Sequence, residues 1–548
     1  MRARVEVRLR SSEKTPGGSL RDCRSGVAAW PAAEHPTTHE AFPQTARGLR
    51  GKIMMAEARD TEELVFDLVV VGGGLAGLCA ALAAARAGAR TALVQDRPVL
   101  GGNSSSEIRV VPYGAGHSNA WARETGLVGE LILEDRATNP DQYLDHGLTN
   151  SNYDLTLLHA ARRESHLTLF LNTSVRAVEV EEIAPVVSSN EASVSRYERR
   201  IVSVSGSQLV SEREYCFRAR HFIDATGDGT VGFLAGADYR YGREARAEHG
   251  EPLAPATADE VTMGSTLTFR AHDTGKPAPF VAPLAAYPYR TPEDFIYDRG
   301  FWGVEQPAFG GYWWIEICNP YHQIADNPTV RDELHRHVLG IWDYLKNHSP
   351  QREHLATYAL DWIGMLPGKR ESRRLLGDVI VTEHDCHRDR EWPDGVCYAG
   401  WWIDLHIPGG LLNRVDPGER EDVDQNYKHW IRVAPFSLPL RALYSRNVEN
   451  LWMTGRDVSV THVALGPMRV QLSLGAQGQA VGTAAAYAVA HDLTPREAAH
   501  PPGTHLSVIR QQLLREDVRL LGVPNEDPAD LALRAEATAT SAAGLDFG

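Results

Sequence analysis

Asp404 and His406 are the residues with the clearest capacity for catalysis in this chain of 548 residues. They alternate within the segment Trp401–Gly410, and a strand here would place both side chains on one face. A carboxylate beside an imidazole fixes the tautomer of the ring and raises its basicity, as a general base for an alcohol proton requires. The pair therefore predicts general-base catalysis, and a purely structural pair is the alternative.

His462 and three arginines extend the set of candidates. His462 is the rival general base, because it lies just before a predicted helix. Arg370, Arg373 and Arg374 are expected to clamp an anionic group or to face a cofactor, with a solvated basic helix as the alternative. Aromatic residues in the same region indicate either a site for sugars or planar molecules, or core packing. They are Trp302, Tyr312, Trp313, Trp314, Trp362, Trp401 and Trp402.

A glycine-rich turn that starts at Gly72 has the spacing of a dinucleotide-binding loop. Apolar residues 66–71 predict a buried parallel strand, and GxGxxG follows directly at Gly72, Gly74 and Gly77. Gly72 permits the tight turn and Gly74 lets the backbone approach a pyrophosphate. Gly77 lets the following helix pack closely against the strand.

The residues after this turn predict a helix and a second strand. Leu75 and Ala76 begin an Ala- and Leu-rich stretch that extends to Ala87, and Gly88 is expected to end it. The N-terminal amides of this helix would face the phosphates. The apolar segment 91–94 completes the strand–turn–helix–strand context that a dinucleotide site requires.

An acidic residue at the end of the second strand is expected to bind the adenosine ribose. Gln95 occupies that position and Asp96 follows it. The role is open between the two, because an amide also hydrogen-bonds a hydroxyl. A glycine pair and two polar residues then predict further contacts near the pyrophosphate, with a plain surface turn as the alternative. They are Gly101, Gly102, Asn103 and Ser104.

These segments resemble the FAD-dependent oxidoreductases of the glutathione-reductase-type superfamily, and above all the bacterial group related to the flavoprotein subunit of heterodisulfide reductase. The resemblance spans residues 65–490. It implies FAD as cofactor and an α/β fold, in which a Rossmann-like FAD-binding domain of the glutathione-reductase type carries an inserted mixed α+β substrate domain. Five segments carry it: GGGLAG at 72–77, QDRPVLGGNSSSEIR at 95–109, ATGDG at 225–229, GKRESRRLLGD at 368–378 and NLWMTGRDVSVTHVALGPMRV at 450–470.

The resemblance also implies roles for single residues. Asp457 would bind the ribityl chain, because a carboxylate accepts hydrogen bonds from its hydroxyl groups. The segment 465–470 would open a helix whose N-terminal amides face the N1/C2 edge of the flavin and stabilise its reduced form. An ordinary strand-end turn is the alternative for the residues 225–227, which would close over FAD. The remaining implied cofactor contacts are Val175, Ala225, Thr226, Gly227, Gly455, Gly466, Arg469 and Val470.

The domain organisation follows from where these segments lie. The N-terminal stretch lacks an apolar period and is expected to be disordered, so that Met54 or Met55 is an alternative start. Small residues at near-helical spacing in 474–482 predict a helix packed closely under the cofactor. The expected parts are a disordered extension (1–60), a FAD-binding domain (61–237 and 441–495), a substrate domain (238–440) and a C-terminal helix and tail (496–548).

The composition excludes several classes of protein. The net charge of −15 argues against nucleic acid as a partner, which needs a basic surface. No run of 18 uncharged apolar residues is present, so no membrane-spanning helix is expected. The six scattered cysteines include no CxxC pair. We therefore expect neither a metal site nor an iron–sulfur cluster, and a cytoplasmic location.

The favoured function is an FAD-dependent oxidoreductase that transfers a hydride from a small polar, hydroxylated or sugar-derived molecule to flavin N5. The alternative is an electron-transfer flavoprotein subunit that passes electrons to a partner protein. The aromatic, His-bearing insert counts against it, as does the lack of cysteine in 103–106. An RNA-modifying flavoprotein is disfavoured by the acidic balance. The electron acceptor stays open, and so does the state of assembly, with a homo-oligomer among the options.

Deletion of residues 1–53 is expected to leave FAD content and melting temperature nearly unchanged. The segment has no apolar periodicity and therefore little surface to bury. Absorbance of bound flavin and a thermal melt of the truncated protein are the measurements. A fall of many degrees would show that the segment docks on the fold.

Overall fold

The computed structural model describes residues 61–119, 121–140, 148–183, 197–295, 313–387, 392–412, 431–500 and 503–534. The described residues belong to one compact unit. The extension predicted for 1–60 lies outside them, as do Trp302, Tyr312 and the end of the predicted tail.

Eighteen strands are present in the described part of the chain. In chain order they are β1 (Thr61–Val65), β2 (Leu68–Val71), β3 (Thr91–Val94), β4 (Leu167–Phe170), β5 (Thr173–Glu182), β6 (Arg199–Gln208), β7 (Arg213–Arg218), β8 (His221–Asp224), β9 (Tyr239–Arg240), β10 (Ser265–Thr266), β11 (Phe269–Asp273), β12 (Glu316–Ile317), β13 (Tyr358–Ile363), β14 (Gly368–Lys369), β15 (Arg374–Leu375), β16 (Gly395–Ala399), β17 (Phe436–Pro439) and β18 (Leu451–Met453).

The α-helices of the same residues are α1 (Leu75–Arg86), α2 (Leu127–Thr138), α3 (Ser151–Arg162), α4 (Thr230–Ala235), α5 (Arg246–His249), α6 (Asn327–Asp343), α7 (Glu383–His387), α8 (His462–Met468), α9 (Gln471–His491), α10 (Pro495–Ala499) and α11 (Thr504–Arg515).

A five-stranded parallel sheet forms the centre of the fold, in the order β18-β8-β2-β3-β4. Its middle strand β2 is buried along its whole length, which explains the continuous apolar run. The strand predicted at 66–71 is confirmed but starts at Leu68, and the strand predicted at 91–94 is confirmed at those residues. The parallel sheet with helices confirms an α/β cofactor-binding fold.

A second sheet, β1-β7-β6-β5, extends from the end of α3 and returns to the central sheet at β8. Its neighbours are antiparallel except for β1, which pairs in parallel with β7. Thr61, the first described residue, pairs with Glu214 at the edge of this sheet. This pairing needs no apolar side chain, so the apolar pattern of the sequence gives no sign of β1.

Helix α9 packs against α1 without intervening side chains. A Cβ added at Gly478 would lie 2.0 Å from the carbonyl oxygen of Ala76, and one added at Gly482 would lie 2.1 Å from that of Ala80. The two backbones therefore touch, as the small residues in 474–482 predict. This contact fixes α1, whose first turn carries the glycine motif.

A second apolar core lies in the predicted substrate domain. It draws on β11, β13 and α6, with Trp342 and Phe269 among its buried side chains. Residues such as Leu375, Val396 and Phe436 belong instead to the core of the central sheet. The boundary predicted at residue 440 therefore does not coincide with the division between the two cores. Among the described residues, no helix is long and apolar enough to cross a membrane.

Gly482→Ala is expected to lower the free energy of unfolding by about 1–3 kcal/mol, because the added methyl forces α9 away from Ala80. Gly129→Ala in α2 is the matched control. Its Cβ would meet only the carbonyl of Glu124 at 3.6 Å, an ordinary contact. Denaturant unfolding of the two variants is the comparison, and equal stabilities would contradict the close helix contact.

Candidate functional site

A cavity of about 340 Å³ lies beside the glycine turn and the C-terminal ends of β2 and β3. Most of the predicted cofactor contacts line it. They are Gly72, Gly74, Leu75, Ala76, Gln95, Asp96, Gly101, Gly102, Asn103, Val175, Ala225, Thr226, Gly227, Gly455 and Arg469.

A different structural constraint explains the glycine at each of the three motif positions. Gly72 has φ +105°, and a Cβ there would lie 2.2 Å from the carbonyl oxygen of Ala225. A Cβ at Gly77 would lie 1.9 Å from the carbonyl oxygen of Gly72, so this glycine permits the close helix–strand contact. A Cβ at Gly74 would meet nothing nearer than 4.0 Å, at Gly102. The space that Gly74 leaves open belongs to the cavity.

Gln95 and Asp96 have separate roles. Gln95 is buried, accepts a hydrogen bond from the Gly73 amide at 2.7 Å and donates to the Val99 carbonyl at 3.2 Å. Its amide group therefore holds the glycine turn. Asp96 is exposed and also lines the cavity, so it is the carboxylate available to a ribose.

The turn after β3 contributes Asn103 but not Ser104 to the cavity. Gly101 has φ +103° and Gly102 has φ +57°, conformations that favour glycine. Asn103 donates to the Lys369 carbonyl at 2.9 Å, which ties this turn to β14. Ser104 is fully buried and its hydroxyl donates to the Gly101 carbonyl at 2.9 Å. Its role is to hold the turn.

The segment 465–470 differs from the prediction. It forms the end of α8, and Val470 is the residue that precedes α9. Gly466 and Val470 do not line the cavity, whereas Arg469 and Gln471 do. A Cβ at Gly466 would lie 3.1 Å from the Asp404 amide, so close packing explains this glycine. Of α8 and α9, the helix that begins at the cavity is therefore α9.

Asp457 is also placed differently from the expectation. It is fully buried and does not line the cavity. Its predecessor Arg456 does, beside Gly455. The ribityl role implied by the resemblance therefore lacks geometric support at Asp457. The residue that faces the cavity after the Thr-Gly turn is a cation.

His406 lies in a chain of charged groups that includes Asp404 but is not held by it. Its Nδ1 hydrogen-bonds Oε1 of Glu316 at 2.9 Å, and its Nε2 accepts from Nη2 of Arg469 at 2.7 Å. Asp404 Oδ2 is 3.5 Å from the same Nε2 and accepts from Arg469 at 3.0 Å. The carboxylate that hydrogen-bonds Nδ1 of the ring is therefore Glu316, on β12, and Asp404, for which the orienting role was predicted, is the more distant of the two.

The predicted strand at 401–410 is wrong. Only Ile403 forms a bridge, with Ile431, and the rest of the segment is irregular. Arg469 brings Asp404 and His406 together in place of strand alternation. Because Arg469 also lines the cavity, it connects these two side chains to the cofactor site.

Ionic contacts keep both carboxyl groups of this cluster charged. Burial favours the neutral form of Asp404, but its contacts with His406 and Arg469 hold its pKa well below the usual range. Burial likewise opposes ionisation of Glu316, and its contacts with His406 and Arg370 lower its pKa. Both are therefore negative at neutral pH.

Arg370 and His462 are buried supports of other groups. Arg370 donates to the carbonyls of Gly264 and Trp313 and pairs with Glu316 at 2.9 Å. The guanidinium of Arg370 is thus already engaged by these protein groups and positions Glu316. It does not form the anion clamp that was one of the two predictions for it. His462 is 4% exposed, does not line the cavity, and bonds Glu371 through Nδ1 at 2.8 Å.

Of the neighbouring arginines, Arg374 lies in a strand and Arg373 directly precedes it, so neither is on a solvated helix. Arg374 in β15 is fully buried and pairs with Glu244 at 2.9 Å. Arg373 lies over the ring of Phe233 at 3.9 Å. Neither belongs to the residues that line the cavity.

The aromatic residues divide between packing and the surroundings of Asp404. Trp314 packs against the second core, and Trp362 lies 4.8 Å below the guanidinium of Arg109. Trp401 and Trp402 are half-buried three and two residues before Asp404. Trp401 stacks on Tyr113 at 5.8 Å. These two tryptophans are close to Asp404 along the chain, whereas Trp313 meets the charged cluster through its carbonyl, which accepts from Arg370.

The cavity fits a dinucleotide with a flavin. Nη1 of Arg456 and Nε of Arg469 are buried and have no hydrogen-bond partner among the described residues, although both side chains line the cavity. Together with the open space at Gly74 they provide donors for phosphate and carbonyl oxygens. The five described cysteines are free, and no group of three or more metal-binding side chains is found in the described ranges.

Comparison with known proteins agrees with this geometry. A profile of the family described as FAD dependent oxidoreductase matches residues 67–513. A glycerol-3-phosphate dehydrogenase of Mycobacterium leprae (strain TN) is 34% identical over 99 residues, which are 18% of this chain and 16% of that protein. The match thus spans less than a fifth of the relative's length.

Two solved structures illustrate the distant fold similarity. A geranylgeranyl bacteriochlorophyll reductase-like protein from Thermoplasma acidophilum is 12% identical with a TM-score of 0.35, over 83% of this chain and 84% of that one. E. coli quinol fumarate reductase is 14% identical with a TM-score of 0.30, over 83% and 74%. Similarity at this level does not identify an activity.

Gly74→Val is expected to abolish FAD retention without unfolding the protein. The backbone of Gly74 (φ −62°, ψ 173°) accepts a β-branched residue, and the new side chain meets only cavity space. Flavin absorbance after purification and a thermal melt are the measurements, with Gly129→Ala as the control. Full FAD occupancy in Gly74→Val would refute the placement of the pyrophosphate.

Proposed function

Because the chain belongs to the FAD dependent oxidoreductase family, we propose that this enzyme oxidises a small hydroxylated molecule, with His406 accepting the hydroxyl proton. The FAD that the residues lining the cavity would hold would supply the acceptor for the hydride, its N5. The remaining steps rest on side chains of the chain itself.

The observation that carries the proposal is the pair of contacts on the His406 ring. Glu316 is buried and accepts at Nδ1, while Arg469 donates to Nε2. A guanidinium only donates, so Nε2 carries no proton and the hydrogen of the neutral ring is on Nδ1. Nε2 is therefore a proton acceptor, and it points to a residue that lines the cofactor cavity.

Proton uptake at Nε2 is favoured by the carboxylates around the ring. The resulting imidazolium would lie between Glu316 at 2.9 Å and Asp404 at 3.5 Å. Both carboxylates are ionised, so they stabilise the positive charge that forms as the hydroxyl loses its proton. A positioned base of this kind contributes roughly 10²–10⁴-fold to a rate.

Arg469 stands where the substrate hydroxyl would bind. Its Nη2 occupies Nε2 of His406, so a hydroxyl must displace that contact. Asp404 keeps the guanidinium nearby through a second contact at 3.0 Å. In this arrangement Arg469 excludes water from the base until a substrate enters.

Two observations favour a hydroxylated substrate class. The charged cluster offers carboxylate and imidazole acceptors, which bind hydroxyl groups, and half-buried Trp401 and Trp402 adjoin it. The Mycobacterium leprae relative is named a dehydrogenase of glycerol 3-phosphate, itself a hydroxylated molecule.

Asp96 is the residue we assign to the adenosine ribose, since Gln95 holds the turn.

The architecture favours the glutathione-reductase type of FAD domain. Its support is the central parallel sheet with the antiparallel strands β5, β6 and β7 inserted before β8. An electron-transfer subunit related to heterodisulfide reductase is not favoured, because an electron relay has no need of a general base beside the cofactor cavity.

The test is an anaerobic screen of sugars and hydroxy acids for bleaching of the flavin, followed by variants with a reducing substrate. His406→Ala is expected to slow flavin reduction by roughly 10²–10⁴-fold with a normal FAD spectrum. Glu316→Gln is expected to cost less, since the ring keeps a hydrogen-bond acceptor but loses the charge that stabilises the imidazolium. Asp404→Asn is expected to cost least, because Asp404 is farther from the ring.

His462→Ala is the control for the rival base and is expected to reduce flavin at nearly the wild-type rate. Loss of reduction in His462→Ala with a normal rate in His406→Ala would assign the base to His462. Normal rates in both variants with every reducing substrate would exclude the general-base mechanism.

A further inference from the structure

The buried carboxyl group of Asp457 is closed off by its neighbours. Its Oδ2 accepts from the Gly229 amide at 3.1 Å, and it lies against Asp224. Burial, with a further contribution from Asp224, raises the pKa of Asp457 well above the usual range. Asp224 already accepts from the Thr226 amide and hydroxyl and from the Gly232 amide. Oδ1 of Asp457 is buried without a hydrogen-bond donor among the described residues, and a protonated Asp457 that donates to Asp224 would satisfy the pair.

Arg456 takes the position at the cavity that an acidic residue was expected to hold. Its guanidinium covers Gly227, where a Cβ would lie 2.6 Å from Nη2. Nη1 is buried and has no hydrogen-bond partner among the described residues. A Cβ at the adjoining Gly455 would lie 3.8 Å from that of Ala76, so the backbone that precedes Arg456 is next to the first turn of α1. That turn supplies the amides expected to face the pyrophosphate.

Asp228 is a carboxylate that lines the cavity close to Arg456. Lys369 Nζ bonds its Oδ2, Ser372 donates to its Oδ1 at 2.8 Å, and Arg456 Nη2 is 3.6 Å from Oδ1. Asp228, Lys369 and Arg456 all line the cavity. Although burial opposes ionisation, the two cations lower the pKa of Asp228 below its usual range. These three side chains, one carboxylate and two cations, together carry one net positive charge, and we call them the wall of the cavity.

We propose that Asp228 binds the ribityl hydroxyls of FAD and that Arg456 binds its pyrophosphate, so that Asp457 has no contact with the cofactor. The proposal concerns cofactor binding and does not depend on the identity of the catalytic base. It transfers the implied role of Asp457 to a residue from a different part of the chain.

The chemistry of the two groups fits these two parts of FAD. An ionised carboxylate has room for about four hydrogen bonds, and Asp228 uses two of them within normal distance. Its remaining acceptor sites suit hydroxyl donors. The unpartnered Nη1 of Arg456, whose side chain lines the same cavity as the first turn of α1, suits a phosphate oxygen. The excess positive charge of the wall balances the negative pyrophosphate.

The test compares the binding of FAD and ADP to deflavinated full-length protein, by flavin fluorescence and calorimetry. ADP contains the pyrophosphate but no ribityl chain. Asp228→Asn is expected to raise the FAD Kd by roughly 10–100-fold, the loss of hydrogen bonds to a charged group, and to leave the ADP Kd unchanged. Arg456→Gln is expected to weaken both ligands. Unchanged ADP binding also shows that Asp228→Asn is folded.

Asp457→Asn is the matched control, because it makes the same change in the residue after Arg456, whose side chain does not line the cavity. Its amide donates to Asp224 as the protonated acid does, so both Kd values are expected to stay within about twofold of wild type. The proposal is overturned if Asp457→Asn loses FAD while Asp228→Asn keeps it. It is also overturned if Asp228→Asn weakens ADP as much as FAD, or if Arg456→Gln leaves ADP binding intact.

Discussion

The cofactor site depends on how closely the backbone of α1 approaches its two neighbours. On one side Gly77 lies against the carbonyl of Gly72, and on the other Gly478 lies against that of Ala76. Any side chain at these positions would separate the elements by the width of a methyl group or more. The first turn of α1 would then move relative to the turn at Gly72 and to the start of α9. The cavity keeps its shape because the three backbones are in contact and have no side chains to rearrange between them.

At the other end of the cavity the positions are set by charge. Hydrogen-bond donors and acceptors alternate along this chain of contacts, so each group has a partner of the opposite kind. The chain runs through Arg370, Glu316, His406, Arg469 and Asp404. Burying a lone charge is costly, and removing one member would leave its neighbours uncompensated. The same alternation brings Nη2 of Arg469 to Nε2 of His406, the atom that we propose as the proton acceptor. Arg469 also lines the cavity, so it links this set of contacts to the proposed cofactor site.

The parts of the fold that local sequence determines were predictable. The apolar run of β2, the glycine turn, α1 and β3 follow one another within about thirty residues, and their bounds agree with the structure to within two residues. The site residues that sequence reasoning missed are Glu316, Asp228 and Arg456. Each acts through a partner far along the chain, and burial decides its role, as it does for Asp457. Asp228 follows Ala-Thr-Gly directly, and a charged residue next to a cofactor turn is the one signal that was available.

The contact between α1 and α9 joins residues near opposite ends of the described chain, and this has a consequence for how the protein is made. The glycine turn leaves the ribosome early, but α9 and β18 follow only on the order of tens of seconds later at ordinary rates of synthesis. Until then α1 exposes an apolar surface that nothing covers, and the central sheet lacks its edge strand β18. FAD cannot be enclosed while the chain is still growing. Residues that line the cavity, such as Arg469 and Leu474, are made last, so the cofactor can be enclosed only once synthesis has passed them.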